Sequence, residues 1–261
     1  MNRAQQASAD RVAGAWSDAM VRIYGENSNG RAVCDDGALA LVSDAGFASL
    51  NTAFVATANP GPESLEPLRR AADDVRGAGR PWSIVVRGAA TGPVADLAAR
   101  LGLTQRGDLP LMACAATDAV LRAGREHSAS VRAADAAEHD VYTRTVAAGF
   151  EAPAELFGTL MGADLLAMPK ATAYLAGPPD RPTGTGLLVR GSGVCVLFNI
   201  AVVPGARGHG LGRALTARAM SDGFAGGADT AVLISSPAGR ALYESMGFRL
   251  VETWTAFTAA P

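Results

Sequence analysis

Apolar residues fall in short blocks along this chain, and the sharpest blocks lie in its second half. Residues 171–176, 184–190, 194–203 and 231–234 are nearly unbroken apolar runs set between glycine, proline or charged residues, which predicts buried strands. A short run at 130–133 and a longer one at 250–257 read as the first and last strands of the same set. Helical spacing predicts helices over 135–150, 153–168 and 213–224. Ser236-Pro237 reads as an N-cap followed by proline at the first helical position. The short helix so begun runs through Tyr243 to Met246 and stops at Gly247, which can turn left-handed while Phe248 packs back. In the first half, Val12, Trp16, Met20 and Ile23 mark one face of a helix over 4–24. Further runs predict a helix over 63–76, a strand over 82–87, a helix over 94–101 and a strand near 109–115.

Between the run at 194–203 and the helix at 213–224 stands Arg207-Gly208-His209-Gly210-Leu211-Gly212. Glycines let a phosphate approach the backbone, and the following helix would turn unpaired N–H groups and a positive dipole end toward it. Two familiar phosphate loops fail here. A P-loop begun at Gly205 meets Leu211 where lysine is needed, and a dinucleotide fingerprint begun at Gly208 meets Arg213 where glycine is needed. What remains is Arg-x-x-Gly-x-Gly between strand and helix, which resembles the pyrophosphate-binding motif of the GNAT superfamily of CoA-dependent acyltransferases. The order of the surrounding elements, including a tyrosine three residues before Met-Gly-Phe, resembles a whole GNAT domain over 130–261.

The first half repeats part of this plan. Residues 49–55 parallel 197–203 through Asn51 and Asn199, and Leu101-Gly102-Leu103 parallels Met246-Gly247-Phe248. Where the second half has its glycine loop, the first has Asn59-Pro60-Gly61-Pro62-Glu63-Ser64, and the place of Tyr243 falls at Ala98 or Ala99. Residues 1–122 therefore read as a degenerate GNAT-like domain without a CoA loop, 122–130 as a linker and 130–261 as the complete domain. The expected fold class is α/β, two tandem GNAT-like units, each a mixed, mainly antiparallel sheet flanked by helices.

The resemblance implies acyl transfer from acetyl-CoA to an amine by direct attack, and assigns roles. Backbone amides of Gly208, His209, Gly210, Leu211, Gly212 and Arg213 would hold the pyrophosphate, with Arg207 and Arg213 adding charge. Amides around Ala201 and Val202 would face the thioester carbonyl, and Ser236 is placed with the cofactor-binding residues. Tyr243 would return a proton to the leaving thiolate. A general base is not evident: 194–203 carries no acid, Glu151, Glu155, Asp164 and Glu252 are the scattered candidates, and Asn199 is either an acceptor contact or a strand-edge residue. His127 and His139 carry no spacing pattern.

Composition narrows the partners. The chain has 261 residues, 49% of them hydrophobic and 18% charged, with a net charge of −2. That balance predicts a packed globular protein and offers no basic surface for nucleic acid. Cys34, Cys114 and Cys195 are too few and too scattered for a disulfide framework or a metal site. No signal pattern or bilayer-length apolar run occurs, so a cytoplasmic protein without membrane attachment is expected. It would act as a monomer or homodimer on a small-molecule amine or a protein amino group, or else, in the alternative reading, bind acyl-CoA as a non-catalytic sensor.

Overall fold

The computed structural model describes residues 3–121 and 130–260. The linker expected over 122–130 lies outside them except for Ser130, as does His127. The chain divides into two compact units, Met1–Leu111 with Leu250–Pro261, and Met112–Arg249.

The first unit begins with α1 (Arg3–Gly25), whose buried face includes Val12, Trp16, Met20 and Ile23 as the spacing predicts. A hairpin follows, β1 (Arg31–Asp35) and β2 (Ala38–Val42), turning through Asp36 at φ 45° and Gly37 at φ 80°. Both turn residues are left-handed, the conformation Asp-Gly favours in a two-residue hairpin. Next come β3 (Thr52–Ala58), α2 (Leu65–Arg76), β4 (Ser83–Arg87), α3 (Gly92–Arg100) and β5 (Gln105–Ala115).

The second unit carries β6 (Val131–Ala133), α4 (His139–Gly149), α5 (Ala163–Ala167), β7 (Ala171–Ala176), β8 (Gly184–Arg190) and β9 (Val194–Val202). It continues with α6 (Leu211–Ala225), β10 (Thr230–Ile234) and α7 (Arg240–Ser245). The last strand is β11 (Arg249–Thr258). In the second unit β6 to β9 run antiparallel to one another and β10 lies parallel to β9. In the first, β1 to β3 are antiparallel and β4 lies parallel to β3. Each unit is thus a mixed, mainly antiparallel sheet flanked by helices.

Two sequence expectations need correction. A single helix over 153–168 does not form. Gly158 takes φ 56°, and only a short 3-10 turn at Ala154–Phe157 and the five-residue α5 remain helical. Helix α7 starts at Arg240 rather than at Ser236-Pro237, because Ser236 closes a turn first: the Gly239 N–H donates to the Ser236 carbonyl at 3.1 Å and to its Oγ at 3.2 Å.

The unit boundary also falls where the apolar pattern gave no hint. Strand β11, expected to close the second half, pairs antiparallel with β4 in the first unit, Thr255 opposite Val86. Met112–Ala115 of β5 belongs to the second unit, whose core includes Met112 and Cys114, and there β5 neighbours β10. The last strand of the first half is thus divided, with 105–111 in the first unit and 112–115 in the second, while the last strand of the second half lies in the first unit from Leu250 on.

Two helix ends, one in each unit, have the same hydrogen bonds. At the end of α3 the Leu103 N–H donates to Ala98 O (2.9 Å) and Gly102 N–H to Ala99 O (3.0 Å). At the end of α7 the Phe248 N–H donates to Tyr243 O (3.0 Å) and Gly247 N–H to Glu244 O (3.1 Å). With Gly102 at φ 81° and Gly247 at φ 97°, the two termini share one geometry, in which Ala98 stands where Tyr243 does. The asparagine register is not an equivalence. Thr52 faces Ser83 as Val194 faces Thr230, so Asn51 precedes its strand while Asn199 lies near the end of β9. Asn51 is structural, donating to Ala45 O, Phe47 O and Pro81 O and accepting from the Ser43 N–H.

In the first unit β3 and β4 stay paired to the end of β4, through Val55 opposite Val86 and then Ala58 opposite Arg87. Arg87 closes them. Its guanidinium donates to Ala56 O (2.9 Å), to both Glu252 oxygens (2.8 and 3.1 Å) and to Asp10 Oδ1 (2.8 Å). The Arg87 and Glu252 side chains are only 5% and 11% exposed, and the Trp254 indole N–H also donates to Glu252. Glu252 is therefore committed here and drops out as a general base. Removing one partner of a buried pair strands the other charge. Arg87→Met should cost about 3 kcal/mol, the low end for such pairs because Asp10 is half exposed. Urea unfolding should show the loss, and Arg87→Met with Glu252→Gln should recover part of it.

Candidate functional site

Strands β9 and β10 pair only from Val194 to Val196 and from Thr230 to Val232. β10 ends at Ile234, whereas β9 runs on to Val202 without that partner. A bulge helps it leave: Asn199 takes φ 52°, and the β8 register shifts between Thr185 and Leu187. The Asn199 carbonyl accepts from Thr185 Oγ1 at 2.9 Å, and its amide nitrogen lies 3.4 Å from the Tyr142 hydroxyl and 3.1 Å from Met161 Sδ. Asn199 thus holds the bend, and it does not line the opening.

The opening is a cleft of about 660 Å³, contained in the second unit. Ile200, Ala201 and Val202 form one wall; Ser236, Gly239, Leu242 and Tyr243 form the facing one. Arg207, Gly208, Gly210, Leu211, Gly212 and Arg213 lie at one side, and Gly149, Phe150 and Glu151 at another. Ten of the eleven residues singled out from the sequence meet in this cleft. His209 does not; it is exposed and lines a separate open cavity with Arg132 and Thr183.

The loop delivers bare amides to the cleft. Gly210 is the N-cap residue of α6 at φ 85°, and Gly208 has φ 81°. The first helical bond runs from the Ala214 N–H to Gly210 O, at 3.0 Å. The N–H groups of Leu211, Gly212 and Arg213 precede it and have no carbonyl one turn back. No side chain caps this end, and no acidic residue stands in its first turn. A β-carbon at Gly212 would stand 3.4 Å from Leu242 and 3.9 Å from Val202, ordinary contact distances that place Gly212 where the two walls meet.

Successive N–H groups of a strand point to opposite edges. The Val203 N–H donates to Thr183 O at 2.9 Å, before β8, so the Val202 N–H points to the edge that β10 has left. By the same alternation the Ala201 N–H faces β8, which leaves Val202 as the free donor of the two.

Tyr243 is 7% exposed, and its ring meets that of Phe248 edge-on with centroids 5.8 Å apart. Its hydroxyl has no hydrogen-bond partner among the described residues. No fully buried side-chain nitrogen or oxygen goes unpaired among them, so that hydroxyl reaches the open cleft. Burial pushes its pKa up to about 12, which keeps the proton in place at any ordinary pH. The two arginines of the loop are engaged within the protein. Arg213 donates to the Ser245 hydroxyl. Arg207 donates from Nε to Val202 O (3.0 Å) and from Nη2 to Gly149 O (2.9 Å), and Nη1 pairs with Glu151 at 2.7 Å.

Residues 170–250 match the family model described as acetyltransferase (GNAT) domain. Among solved structures, a GCN5-related N-acetyltransferase from Kribbella flavida superposes with a TM-score of 0.67 at 19% identity, covering 97% of this chain and 96% of that one. The fold is the GNAT fold. A GCN5-related N-acetyltransferase-like protein from Streptococcus suis 89/1591 gives 0.58 at 12% identity, covering 97% and 98%. A GCN5-related N-acetyltransferase from Sphaerobacter thermophilus gives 0.54 at 13% identity, covering 85% and 79%. Comparison with curated proteins found no match. The stretch that matches the GNAT domain holds the splayed strands, the glycine loop, α6 and Tyr243, whereas the wall at Gly149–Glu151 precedes it. That wall was visible in the sequence only as scattered acids. Among the described residues no helix is long and apolar enough to cross a membrane, and no cluster of three or more potential metal-binding side chains occurs.

Proposed function

We propose that the protein is an acetyl-CoA-dependent N-acetyltransferase whose second unit does the work, with the first a GNAT-like repeat that has lost its cofactor loop. One observation carries this reading: uncapped helix amides, a strand N–H turned to an open edge and an unpartnered tyrosine hydroxyl all border one cleft. The amides of Leu211, Gly212 and Arg213 fit a diphosphate, which is anionic and has oxygens enough for all three. The Val202 N–H would donate to the thioester oxygen as negative charge grows on it. Tyr243 would hold a proton for the departing sulfur. The acceptor is a small amine or a protein amino group, and the uncharged amine is the form that attacks.

The first unit offers none of these. Its corresponding turn satisfies its own amide, the Gly61 N–H donating to Glu63 Oε1 at 3.2 Å, and Ala98 stands for Tyr243. Arg87 keeps its strands shut. Titration of acetyl-CoA by calorimetry should therefore give one site per chain, and a panel of amines should then release free thiol. Binding without turnover on any amine would favour an acyl-CoA sensor, and absence of binding would leave only the fold. Two sites would remove the assignment of the first unit.

A further inference from the structure

Among the described residues Glu151 is the only acidic side chain that lines the cleft, and the packing of α4 brings it there. A β-carbon on Gly149 would lie 2.7 Å from Ala201 Cβ and 3.3 Å from the Val202 nitrogen, so α4 ends hard against the strand end that bears the free N–H. Two residues on, Glu151 is held left-handed at φ 56°, a conformation that costs a non-glycine residue of order 1 kcal/mol. Its carboxylate meets the one nitrogen of Arg207 that no backbone carbonyl engages. Arg207 is also the first residue of the loop whose amides await an anion. One guanidinium therefore stands between two claims, the carboxylate of Glu151 and a phosphate in the loop.

We propose that Glu151 recognises the ammonium group of the acceptor, and that Arg207 withholds it until a diphosphate enters the loop. This rests on the acetyltransferase reading above. The side chains of the pair are 48% and 61% exposed, so the bond between them is weak and readily exchanged. The guanidinium is a rigid plane held through Nε on Val202 O and Nη2 on Gly149 O, so a phosphate oxygen replaces the carboxylate at Nη1, and the Glu151 side chain is released into the cleft. The neighbour of Glu151 sets the rest of the acceptor. Phe150 is 53% exposed on the same rim, its ring 6.1 Å from that of Phe157. A carboxylate next to an exposed aromatic surface selects a primary ammonium carried on an aromatic or apolar body, and disfavours acceptors with an acidic group near the amine.

The test uses the full chain with CoA, which carries no acyl group to transfer, and 2-phenylethylamine as the probe amine. Calorimetry on the wild type should show the amine binding about fivefold more tightly when CoA is saturating, and by linkage CoA gaining the same factor from the amine. Glu151→Gln should bind CoA about two- to fivefold more tightly, since a competitor for Arg207 is gone. It should bind the amine about tenfold more weakly, lose the dependence on CoA, and no longer prefer 2-phenylethylamine to 2-phenylethanol. Glu151→Asn, which tolerates the left-handed backbone, should behave alike and guards against a folding defect. If wild type does not prefer the amine to the alcohol, or if Glu151→Gln weakens CoA and leaves the amine unchanged, the inference is overturned while the cofactor site stands. A wild type that does not bind CoA overturns both.

Discussion

Tyr243→Phe should lower the rate of acetyl transfer by about 100- to 1,000-fold while acetyl-CoA binds as before. The ring contributes the packing, and phenylalanine keeps it: the contact with Phe248 and the place of α7 do not need the hydroxyl. That oxygen makes no hydrogen bond among the described residues, so its removal leaves no partner stranded. The loss should therefore appear in kcat, with the dissociation constant of CoA and the melting temperature unmoved. The pH dependence adds a second check. With its pKa near 12, Tyr243 is protonated throughout the assay range, so wild-type kcat should rise with pH as the bound ammonium ionises and then hold level to about pH 10. The same burial would make Tyr243 a reluctant donor, one that gives up its proton only once the sulfur carries nearly full charge. A fall in rate between pH 8 and 10 that Tyr243→Phe abolishes would contradict this, for it would mean that the hydroxyl titrates there. A drop in CoA affinity as large as the drop in rate would make Tyr243 a binding residue instead.

Much of the second unit could be read before its coordinates, because the relevant physics is local. Residues 171–176, 184–190 and 194–202 are strands since each apolar run is buried and bounded by residues that cannot extend it. The glycine loop was legible for the same reason, as every amide it offers lies within six residues of Arg207. The hairpin β1–β2 was missed although Asp36-Gly37 marks its turn, because its strands are short and β1 is largely exposed. The segment after α4 was misread because an apolar helical period cannot reveal that Gly158 will turn left-handed. Partnership between distant strands leaves no periodic trace either. Nothing in 250–257 says that it will pair with β4, and nothing in Trp254 says that its ring will lie 4.9 Å from Trp16 and 5.0 Å from Phe54. Glu151 shows the same limit at the site. Its relevance comes from Gly149 pressing on Ala201, a contact between residues far apart in the chain that the spacing of acids could not predict.

Gly210→Asp should weaken acetyl-CoA binding by about 1,000-fold or more and leave the fold intact, a separation that follows from what an N-cap does. Gly210 precedes the first turn of α6 at φ 85°, which aspartate tolerates better than most residues. Its carboxylate could bend over the N–H groups of Gly212 or Arg213 and accept from them, as aspartate does at many helix starts. Capping by aspartate is worth about 1 kcal/mol and the left-handed backbone costs a similar amount, so the melting temperature should scarcely change. The diphosphate meets the opposite situation. The donors it needs are taken, a side chain fills the approach that glycine left open, and a negative charge sits within a few ångströms of its own. Gly210→Ala separates these contributions. It brings the strain and the β-carbon without the charge or the competing acceptor, so it should weaken binding by about tenfold and lower stability by about 1 kcal/mol. Calorimetry and thermal melts on the three proteins would show the order, with affinity falling from glycine to alanine to aspartate while stability falls only at alanine. If Gly210→Asp still bound acetyl-CoA within tenfold of wild type, the diphosphate could not rest on the amides of α6, and the cofactor would have to enter the cleft from elsewhere.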